Sequence, residues 1–361
     1  MCSIIPPYLL RHLAGVTDPA YASAASAARA ALSVDRPFRS IRVGEPGRAA
    51  AAPAARSLVA RTIDPVNRTI FDAAHLETLP GTVVRTEGDE PTDDPAVTEA
   101  FDGLGHTHEL FAEVFERASI DDANLPLDAT VHYGRDYDNA FWDGERMVFG
   151  DGDGVVFTRM TASPSVIGHE LAHGVTQYTA NLEYQGQSGA LNESVSDVFG
   201  ALVEQRALGQ DAGTASWLIG VGIFTDQVEG DALRSMKAPG TAYDDDVLGK
   251  DPQPGHFSGY IETDDDYGGV HLNSGIPNHA FYLAATSIGG FAWEGAGRVW
   301  YDTLTGGLLR PAATFAQFAA ATTDAASARF GDASAEHVAV AEAWAAVGVI
   351  ARGADAAAGA S

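Results

Sequence analysis

The sequence predicts an α+β fold with two lobes, because strand-like runs fill its first half and helix-like runs fill its second half. Between residues 79 and 162, short runs such as Thr130-Val-His-Tyr133, Arg146-Met-Val-Phe149 and Val155-Val-Phe157 alternate with Gly and Asp turns, which is typical of strands. We interpret Gly150-Asp-Gly-Asp-Gly154 as a hairpin turn, since it lacks the glutamate that completes a calcium hand.

The second half has helical spacing and clear stop signals. Apolar residues recur at helical intervals over Ile276–Ile288, Thr314–Phe330 and Ser334–Val347, and each run is followed by glycine. A chain of 361 residues is long for a single core. We therefore predict four segments, which are an N-terminal extension with its linker over 1–52, a β-rich lobe over 53–180, a helical lobe over 181–351 and a flexible tail over 352–361.

The charge and the N-terminus limit the classes of partner. The chain has 22 basic and 49 acidic residues and a formal charge of −27, which argues against binding to nucleic acid or to anionic lipid. Its start lacks basic residues, and Pro6 and Pro7 interrupt the apolar run, so we expect neither a secretory signal nor a membrane span. We expect a monomer that is synthesised in the cytoplasm, and leaderless export and release by lysis both stay open.

The extension ends in a stretch of small residues. Arg48-Ala-Ala-Ala-Ala-Pro-Ala-Ala-Arg56 is predicted to be a flexible linker that proteases can reach, although an ordinary disordered tail is the alternative. Cys2 is the single cysteine, so an intramolecular disulfide is impossible. Its thiolate could block a metal, but an incidental thiol is the favoured interpretation.

His169-Glu170-Leu171-Ala172-His173 is the most informative stretch of the chain. Two histidines four residues apart lie on one face of a helix and can share a metal ion, with Glu170 between them as a base. Ser163 and Pro164 suit the start of this helix. The pattern therefore predicts a helix-borne metal site, and a chance pattern with two inert histidines is the alternative.

A catalytic zinc site needs a third protein ligand, and a second helical pattern can supply it. Within Ala190–Phe199, Glu193 is placed to reach the metal, while Asp197 falls one turn further on. A carboxylate such as Asp197 can accept the second ring N–H of a metal-bound histidine, and we expect Asn192 to act in a similar way. A structural zinc is the other possibility, but it usually uses four ligands that include thiolates.

These residues resemble the thermolysin-like zinc metalloproteinases, and the resemblance extends over Leu79 to Val349. Further blocks match in the family's order, namely Asn139–Trp142, Gly150–Gly154, Tyr184–Ala190, Leu233–Met236 and Gly268–Gly275. Ile5–Tyr8 and Lys237–Tyr243 look most like the protealysin branch, whose members have a short propeptide. The resemblance implies a two-lobed fold with the zinc site in the cleft between the lobes.

The resemblance also implies roles for individual residues. Tyr184 and His271 would donate hydrogen bonds to the oxyanion, and Asp266 would hold His271 charged and oriented. Arg234 would bind a substrate carbonyl, and Asn139 and the backbone of Ala140 would bind the peptide main chain. The pocket for the residue after the scissile bond would be apolar, with Met160 at its rim, and lined by Phe157, Val166, Ile219, Ile223 and Leu233.

Two departures from the family pattern affect the turn before His271 and the calcium sites. Tyr267 stands where the family usually has Asn, so the turn there is expected to differ. Of the positions that bind a calcium pair in thermolysin, Glu204 remains, but carboxylates are missing at Ser165, Ser216, Leu218 and Val221. We predict that the double site is absent; the acidic runs at 244–246 and 264–266 are interpreted as solvated loops, with a different ion as the alternative.

The predicted function is that of a zinc-dependent neutral endopeptidase with one catalytic zinc. It would cut peptides and proteins on the amino side of bulky hydrophobic residues, and it would be made as a zymogen that removes its own propeptide. A catalytically silent scaffold or binding protein with the same fold is the alternative. A zinc hydrolase for non-peptide substrates is a weaker one, because Asn139 and Arg234 suit a peptide backbone.

Overall fold

The protein is described by a computed structural model, which covers residues 3–44 and 62–351. Cys2, the predicted linker at 48–56 and the predicted tail at 352–361 lie outside the described residues. Within the described ranges, none of the helices is both long enough and apolar enough to cross a membrane.

The N-terminal segment begins as an extended chain and continues as two helices. Pro6 is the N-cap and Pro7 is the first residue of α1 (Pro7–Ala14), where the missing N–H of proline costs nothing. The buried face of α1 packs on α2 (Ala22–Gly44). Ile4 and Ile5 belong to the same hydrophobic core as the rest of the molecule, so this segment is part of the packed structure.

A five-stranded sheet forms the first lobe, and its strands are β1 Arg68–Asp72, β2 Thr82–Thr86, β3 Leu127–Val131, β4 Ala140–Trp142 and β5 Met147–Phe149. Their order in the sheet is β2-β1-β3-β5-β4. β1, β3 and β5 are parallel, while β2 and β4 are antiparallel edge strands. Helix α3 (Pro95–Glu109) packs against β1 and β3.

The predictions of a strand at Val155–Phe157 and of a hairpin turn before it are wrong. The amides of residues 155, 156 and 157 donate to the Oδ1 atom of Asp153, at 2.6, 2.7 and 3.2 Å. A side chain therefore takes the hydrogen bonds that a neighbouring strand would need, as Asx turns do. One isolated bridge, between Phe157 and Phe224, is the only strand-like contact recorded for this run in the described chain.

Two long helices cross at glycines and fix the centre of the molecule. α4 (Pro164–Gln177) begins after Ser163, as predicted, although the Ser163 hydroxyl contacts Ser165 and does not cap the helix. α5 (Gly186–Leu208) packs along it. A Cβ on Gly200 would lie 2.4 Å from the carbonyl oxygen of Ser165, so only glycine permits this close approach.

The second lobe is mainly helical and confirms the predicted helix ends. α7 (Gly275–Ile288) is followed by Gly289, α9 (Phe315–Phe330) is followed by Gly331, and α9 begins with a capping box at Thr314. Two short antiparallel strand pairs, β6–β7 and β8–β9, precede these helices. The remaining bounds are β6 Leu218–Ile219, β7 Arg234–Ser235, β8 Asp244–Asp245, β9 Gly249–Lys250, α6 Asp266–Asn273, α7 Gly275–Ile288, α8 Ala296–Thr305, α9 Phe315–Phe330 and α10 Ala335–Ala346.

Candidate active site

The two histidines of α4 point to one place. The Nε2 atoms of His169 and His173 lie 3.1 Å apart, and both side chains are buried. From α5, the carboxylate of Glu193 lies 3.6 Å from each Nε2 atom. Two ligands of a tetrahedral zinc, each about 2.1 Å from the ion, are roughly 3.4 Å apart. The three side chains therefore fit a single zinc ion, and the buried Glu170 lies within the same group of potential ligands.

Each histidine is oriented through its other ring nitrogen. The Nδ1 atom of His169 lies 2.7 Å from Asp197, and that of His173 lies 2.7 Å from the Oδ1 atom of Asn192. Ser196 is a second neighbour of His173, at 3.0 Å. Such partners fix the tautomer of each ring and orient its Nε2 atom towards the shared metal position. Asp197 and Asn192, which are predicted to support the metal ligands, thus lie beside the Nδ1 atoms of the two histidines.

Asp197 also joins the metal cluster to the cleft wall. It accepts two hydrogen bonds from Arg234, both at 2.8 Å, and one from Asn278 at 2.8 Å. Burial by itself would raise the pKa of Asp197, but the charge of Arg234 and the hydrogen bond to His169 hold it well below its ordinary range. Asp197 is therefore ionised, and it keeps both Arg234 and His169 in fixed positions.

A second group of polar side chains faces Glu193. The Tyr184 hydroxyl donates to the Oε1 atom of Glu193 and lies 3.3 Å from Nε2 of His271. The Nδ1 atom of His271 lies 2.8 Å from Asp266. Burial alone lowers the pKa of His271, but the charges of Asp266 and Glu193 and the hydrogen bond to Asp266 raise it above its ordinary value. His271 can therefore act as a charged hydrogen-bond donor beside the metal cluster.

The turn before His271 has a left-handed backbone. Asp266 and Tyr267 have φ values of 52° and 53°, and Gly268 and Gly269 follow at 84° and 72°. Asn tolerates such φ values better than Tyr does. Tyr267, which stands where the family usually has Asn, therefore holds a backbone conformation that suits Asn better. Asp266 still reaches the ring of His271, so the turn keeps its function with a less suitable residue.

The base candidate, Glu170, is held by the edge strand of the sheet. Its Oε2 atom accepts a hydrogen bond of 3.1 Å from the backbone N–H of Trp142 in β4. The side chain is buried beside the two histidines of the same helix. The edge strand β4 and the helix α4 therefore together fix the position of the Glu170 carboxylate, which is the group that can take up a proton.

Residues 3–5 lie along the free edge of β4. Ser3 pairs with Phe141 in an antiparallel bridge, and the N–H of Ile4 donates to the carbonyl oxygen of Ala140 at 3.2 Å. The N–H of Ile5 donates to Oδ1 of Asn139 at 2.9 Å. The N-terminal segment therefore binds as an added strand, as peptides often do at sheet edges.

The same three residues also reach the helical side of the cleft. Arg234 donates a hydrogen bond to the carbonyl oxygen of Ile4 at 3.1 Å. The Nε2 atom of His271 lies 3.3 Å from the carbonyl oxygen of Ser3. Asn139, Ala140, Arg234 and His271, all predicted to contact a substrate, thus contact the chain's own N-terminal backbone. This segment fills the place that the sequence assigns to a peptide.

Sequence analysis missed Asp35 of α2, which is buried next to this contact. Its carboxylate accepts hydrogen bonds from the Tyr137 hydroxyl at 2.6 Å and from Nδ2 of Asn139 at 2.9 Å. A lone aspartate in an Ala-rich helix gives no signal of this role. Asp35 connects α2 to the residue that also binds Ile5.

The residues that are predicted to line the specificity pocket are all apolar and buried. Leu233 donates its backbone N–H to Ile219, and Ile223 accepts from the N–H of Thr158, so the lining segments are hydrogen-bonded to one another. Met160, the predicted rim residue, is also buried. The lining residues, each at most 1% exposed, are Phe157, Val166, Ile219, Ile223 and Leu233.

The calcium positions are occupied largely by uncharged residues. Glu204 is buried beside Ser165, and burial raises its pKa above the ordinary value. The hydroxyl of Ser165 accepts a hydrogen bond from the N–H of Gly220 at 3.2 Å. The absence of the double calcium site stays a prediction, and the carboxylate that remains there is in a poorly solvated place.

Comparison with known proteins identifies the class. Residues 55–177 match the family model described as thermolysin metallopeptidase, catalytic domain, and residues 180–349 match the one described as thermolysin metallopeptidase, alpha-helical domain. The chain belongs to the thermolysin family, and it is a metalloendopeptidase. The predicted family and the two-lobed fold are confirmed.

Individual members of the family are similar to this chain over most of its length. The chain is 48% identical to an extracellular metalloprotease from Pectobacterium carotovorum subsp. carotovorum, over 97% of this chain and 96% of that one. It is 52% identical to protease PrtS of Photorhabdus sp. (strain Az29), covering 72% of this chain and 70% of that one. The solved precursor of protealysin from Serratia proteamaculans is similar, with a TM-score of 0.86 and 48% identity over 97% of this chain and 100% of that one.

Proposed function

We propose that the mature enzyme is a neutral endopeptidase with one catalytic zinc, and that residues 1–52 form a propeptide which keeps it inactive until the enzyme cuts itself. The observation that carries this proposal is the backbone of Ser3–Ile5, which lies on Asn139, Ala140 and Arg234 beside the histidine cluster. A substrate cannot use these groups while the segment is in place.

The residues around the cluster have the arrangement that peptide hydrolysis needs. The family is zinc-dependent, and zinc, when bound by His169, His173 and Glu193, activates a water molecule and polarises the scissile carbonyl. Glu170 takes the proton from that water and hands it to the leaving amine. Tyr184 and His271 can then donate hydrogen bonds to the developing oxyanion.

The silent-scaffold alternative does not explain this arrangement. A binding protein needs neither a buried base at Glu170 nor the hydrogen-bonded pair of His271 and Asp266. The test follows the intact mass of the purified full chain over time and measures hydrolysis of a quenched peptide with and without a chelator. Activity that survives complete removal of zinc would refute the metalloenzyme mechanism.

Self-cleavage is tested separately in a host that lacks a compensating protease. We expect the wild-type chain to cut itself within about residues 48–57, where the predicted linker lies, and so to lose the segment before the cut. Glu170→Gln, which lacks the base, should stay at full length. Maturation of this variant at the normal rate would show that another protease removes the propeptide.

Specificity for Leu, Phe or Ile after the scissile bond follows from the apolar pocket. Burial of a leucine side chain contributes about 1.5–3 kcal/mol, roughly a ten- to hundredfold preference over Gly, whereas Asp or Glu would be desolvated without a partner. A peptide library cut by the mature enzyme measures this preference. Equal cleavage before charged residues and before Leu would rule out the pocket.

A pair of valine variants sharpens the assignment. Val166 of the predicted lining and Val175, further along α4, are both fully buried. Val166→Ala should enlarge the pocket and shift the preference from Leu towards Phe. Val175→Ala, which loses the same two methyl groups elsewhere, should leave the preference unchanged, and an equal shift in both variants would point to a general loosening of the fold.

A further inference from the structure

A second cluster of histidines and carboxylates, which we call the strand-end cluster, lies at one edge of the sheet. It shares no residue with the catalytic cluster of His169, His173 and Glu193. His75, His132 and Asp151 follow β1, β3 and β5 within a few residues. These three strands are parallel neighbours, so their carboxyl ends meet at the same edge. Strand order therefore brings together side chains that are far apart in sequence.

The ligand atoms of this cluster are as closely spaced as those of the catalytic cluster. Nδ1 of His132 lies 2.8 Å from Oδ2 of Asp151, and Nδ1 of His75 lies 3.5 Å from the same oxygen. One ligand atom from each of the three residues lies within 4.8 Å of the others. The corresponding separations among the catalytic ligands are 3.1–3.6 Å. One small divalent ion can therefore contact all three.

A further carboxylate supports one of these histidines in the way Asp197 supports His169. The Nε2 atom of His132 lies 2.9 Å from Oδ2 of Asp94, which leaves Nδ1 directed at Asp151. The other oxygen of Asp94 caps α3 by accepting from the N–H of Ala96 at 2.9 Å. A carboxylate behind a histidine is a regular feature of metal sites, where it orients the ring.

The ligand types restrict the kind of ion. Two imidazoles and one carboxylate suit Zn²⁺ and neighbouring transition metals, whereas Ca²⁺ and Mg²⁺ prefer oxygen ligands throughout. His75 is exposed, and His132 and Asp151 are half-buried. Solvent can therefore reach the site and supply water as the remaining ligand.

The competing state is a proton shared within the same residues. Hydrogen bonding to Asp151 and, despite partial burial, to Asp94 raises the pKa of His132 to about 9. Without an ion the ring is thus protonated at neutral pH, and a metal would have to displace this proton. A hydrogen-bonded network without metal is the outcome that an experiment has to distinguish.

We propose that His75, His132 and Asp151 bind an accessory divalent transition-metal ion, with Asp94 positioning His132. The ion ties together the loops that follow three parallel strands and connects them to the start of α3. The proposed ligands include no counterpart of the base Glu170. The role of this ion is therefore to hold the loops together.

The first experiment counts metal ions on the full-length chain, kept intact by Glu170→Gln. The protein is equilibrated with micromolar Zn²⁺, and bound zinc is measured against the dialysate. We expect two ions per chain. His75→Gln, whose side chain is 56% exposed and tolerates change, should bind one. His106→Gln, at another partly exposed histidine beside Glu109, is the matched control and should bind two.

A second variant tests the positioning residue without disturbing the helix. Asn caps helices as well as Asp, so Asp94→Asn keeps the start of α3 but removes the charge behind His132. Zinc affinity of the accessory site should fall about 10- to 100-fold. Millimolar Ca²⁺ should not displace the second zinc ion. A single zinc in the chain that carries only Glu170→Gln, or two in the chain that carries His75→Gln in addition, would overturn the proposal in favour of the protonated network.

Discussion

The catalytic cluster and the strand-end cluster are built from the same kinds of side chain, but different parts of the fold hold them. His169 and His173 project from one helix and are buried, and Glu193 comes from a helix packed against it. His75, His132 and Asp151 come from three loops and remain partly exposed. Helices fix ligand positions more rigidly than loops do, and precise positioning is what catalysis requires.

The surroundings of the two clusters differ as well. Around the catalytic ligands lie Glu170, Tyr184 and His271, which can move a proton and bind an oxyanion. Around the strand-end cluster lie Asp94 and the backbone, including the N–H of His75, which donates to the carbonyl oxygen of His132 at 2.9 Å. The same ligands therefore serve chemistry in one region and loop packing in the other.

The largest expected effect separates the two clusters by activity. Glu170→Gln should keep zinc, because all three ligands are untouched, and should lower kcat by about 10²- to 10⁴-fold through loss of the base. His75→Gln should leave the activity of the mature enzyme unchanged. Because Glu170→Gln is expected to keep its propeptide, both variants are first treated with a separate protease that cuts in the predicted linker. Peptide hydrolysis by matched amounts of the two mature chains then measures the effect, and nearly full activity in mature Glu170→Gln would contradict the assigned mechanism.

The next prediction concerns the partner of His173. Asn192→Ala removes the acceptor 2.7 Å from Nδ1, so zinc affinity of the catalytic site should fall about 10- to 100-fold. Ser196→Ala removes the longer contact at 3.0 Å and should have a smaller effect. Competition with a chelating dye gives both affinities, and equal values for the two variants would contradict the assignment of Asn192.

The comparison also shows which site residues a sequence can reveal. Histidines at positions i and i+4 of a helix can be recognised in the sequence as a pair on one helix face, and Glu193 and Asp197 have the same spacing. His132 and Asp151 are 19 residues apart and meet only because β3 and β5 are neighbours. Strand order is not encoded in local spacing, so the strand-end cluster could not be predicted.

Local competition for hydrogen bonds explains the errors within the β-rich lobe. Val155–Phe157 has the composition of a strand, but Asp153 captures its amides. Asp35 escaped notice because its partners Tyr137 and Asn139 are more than 100 residues away. The helical lobe was predicted well because glycine stops such as Gly289 act locally.

The N-terminal segment lies on groups beside the catalytic cluster, whereas the strand-end cluster is partly exposed to solvent. Asp35→Asn removes the charge that binds Asn139 and Tyr137 from α2. Because a hydrogen bond to a charged group contributes about 1.5–3 kcal/mol, the precursor should hydrolyse a short peptide at least about tenfold faster before it is processed. The rate is read at times when the intact mass is unchanged.

Asp18→Asn is the matched control for this prediction. Asp18 lies on the same segment, is exposed, and accepts a hydrogen bond from the N–H of Ala20, a role that Asn can take over. This variant should hydrolyse the peptide as slowly as the wild-type precursor does. Equal rates for Asp35→Asn and Asp18→Asn would show that Asp35 does not help to hold the segment in the cleft.

The smallest expected effect concerns stability, and it tests whether the strand-end cluster holds its loops through a metal. An ion that binds only the folded chain stabilises it by about 2.7 kcal/mol at a hundredfold excess over its Kd. For a chain of 361 residues, Tm should rise by about 4 °C. The measurement compares the full chain carrying Glu170→Gln with the same chain carrying His75→Gln in addition, each with and without added Zn²⁺. Both chains keep the catalytic ligands His169, His173 and Glu193, so the catalytic zinc should raise Tm equally in both. The additional rise in the chain that retains His75 therefore comes from the strand-end cluster, and an equal rise in both chains would assign the whole effect to the catalytic zinc.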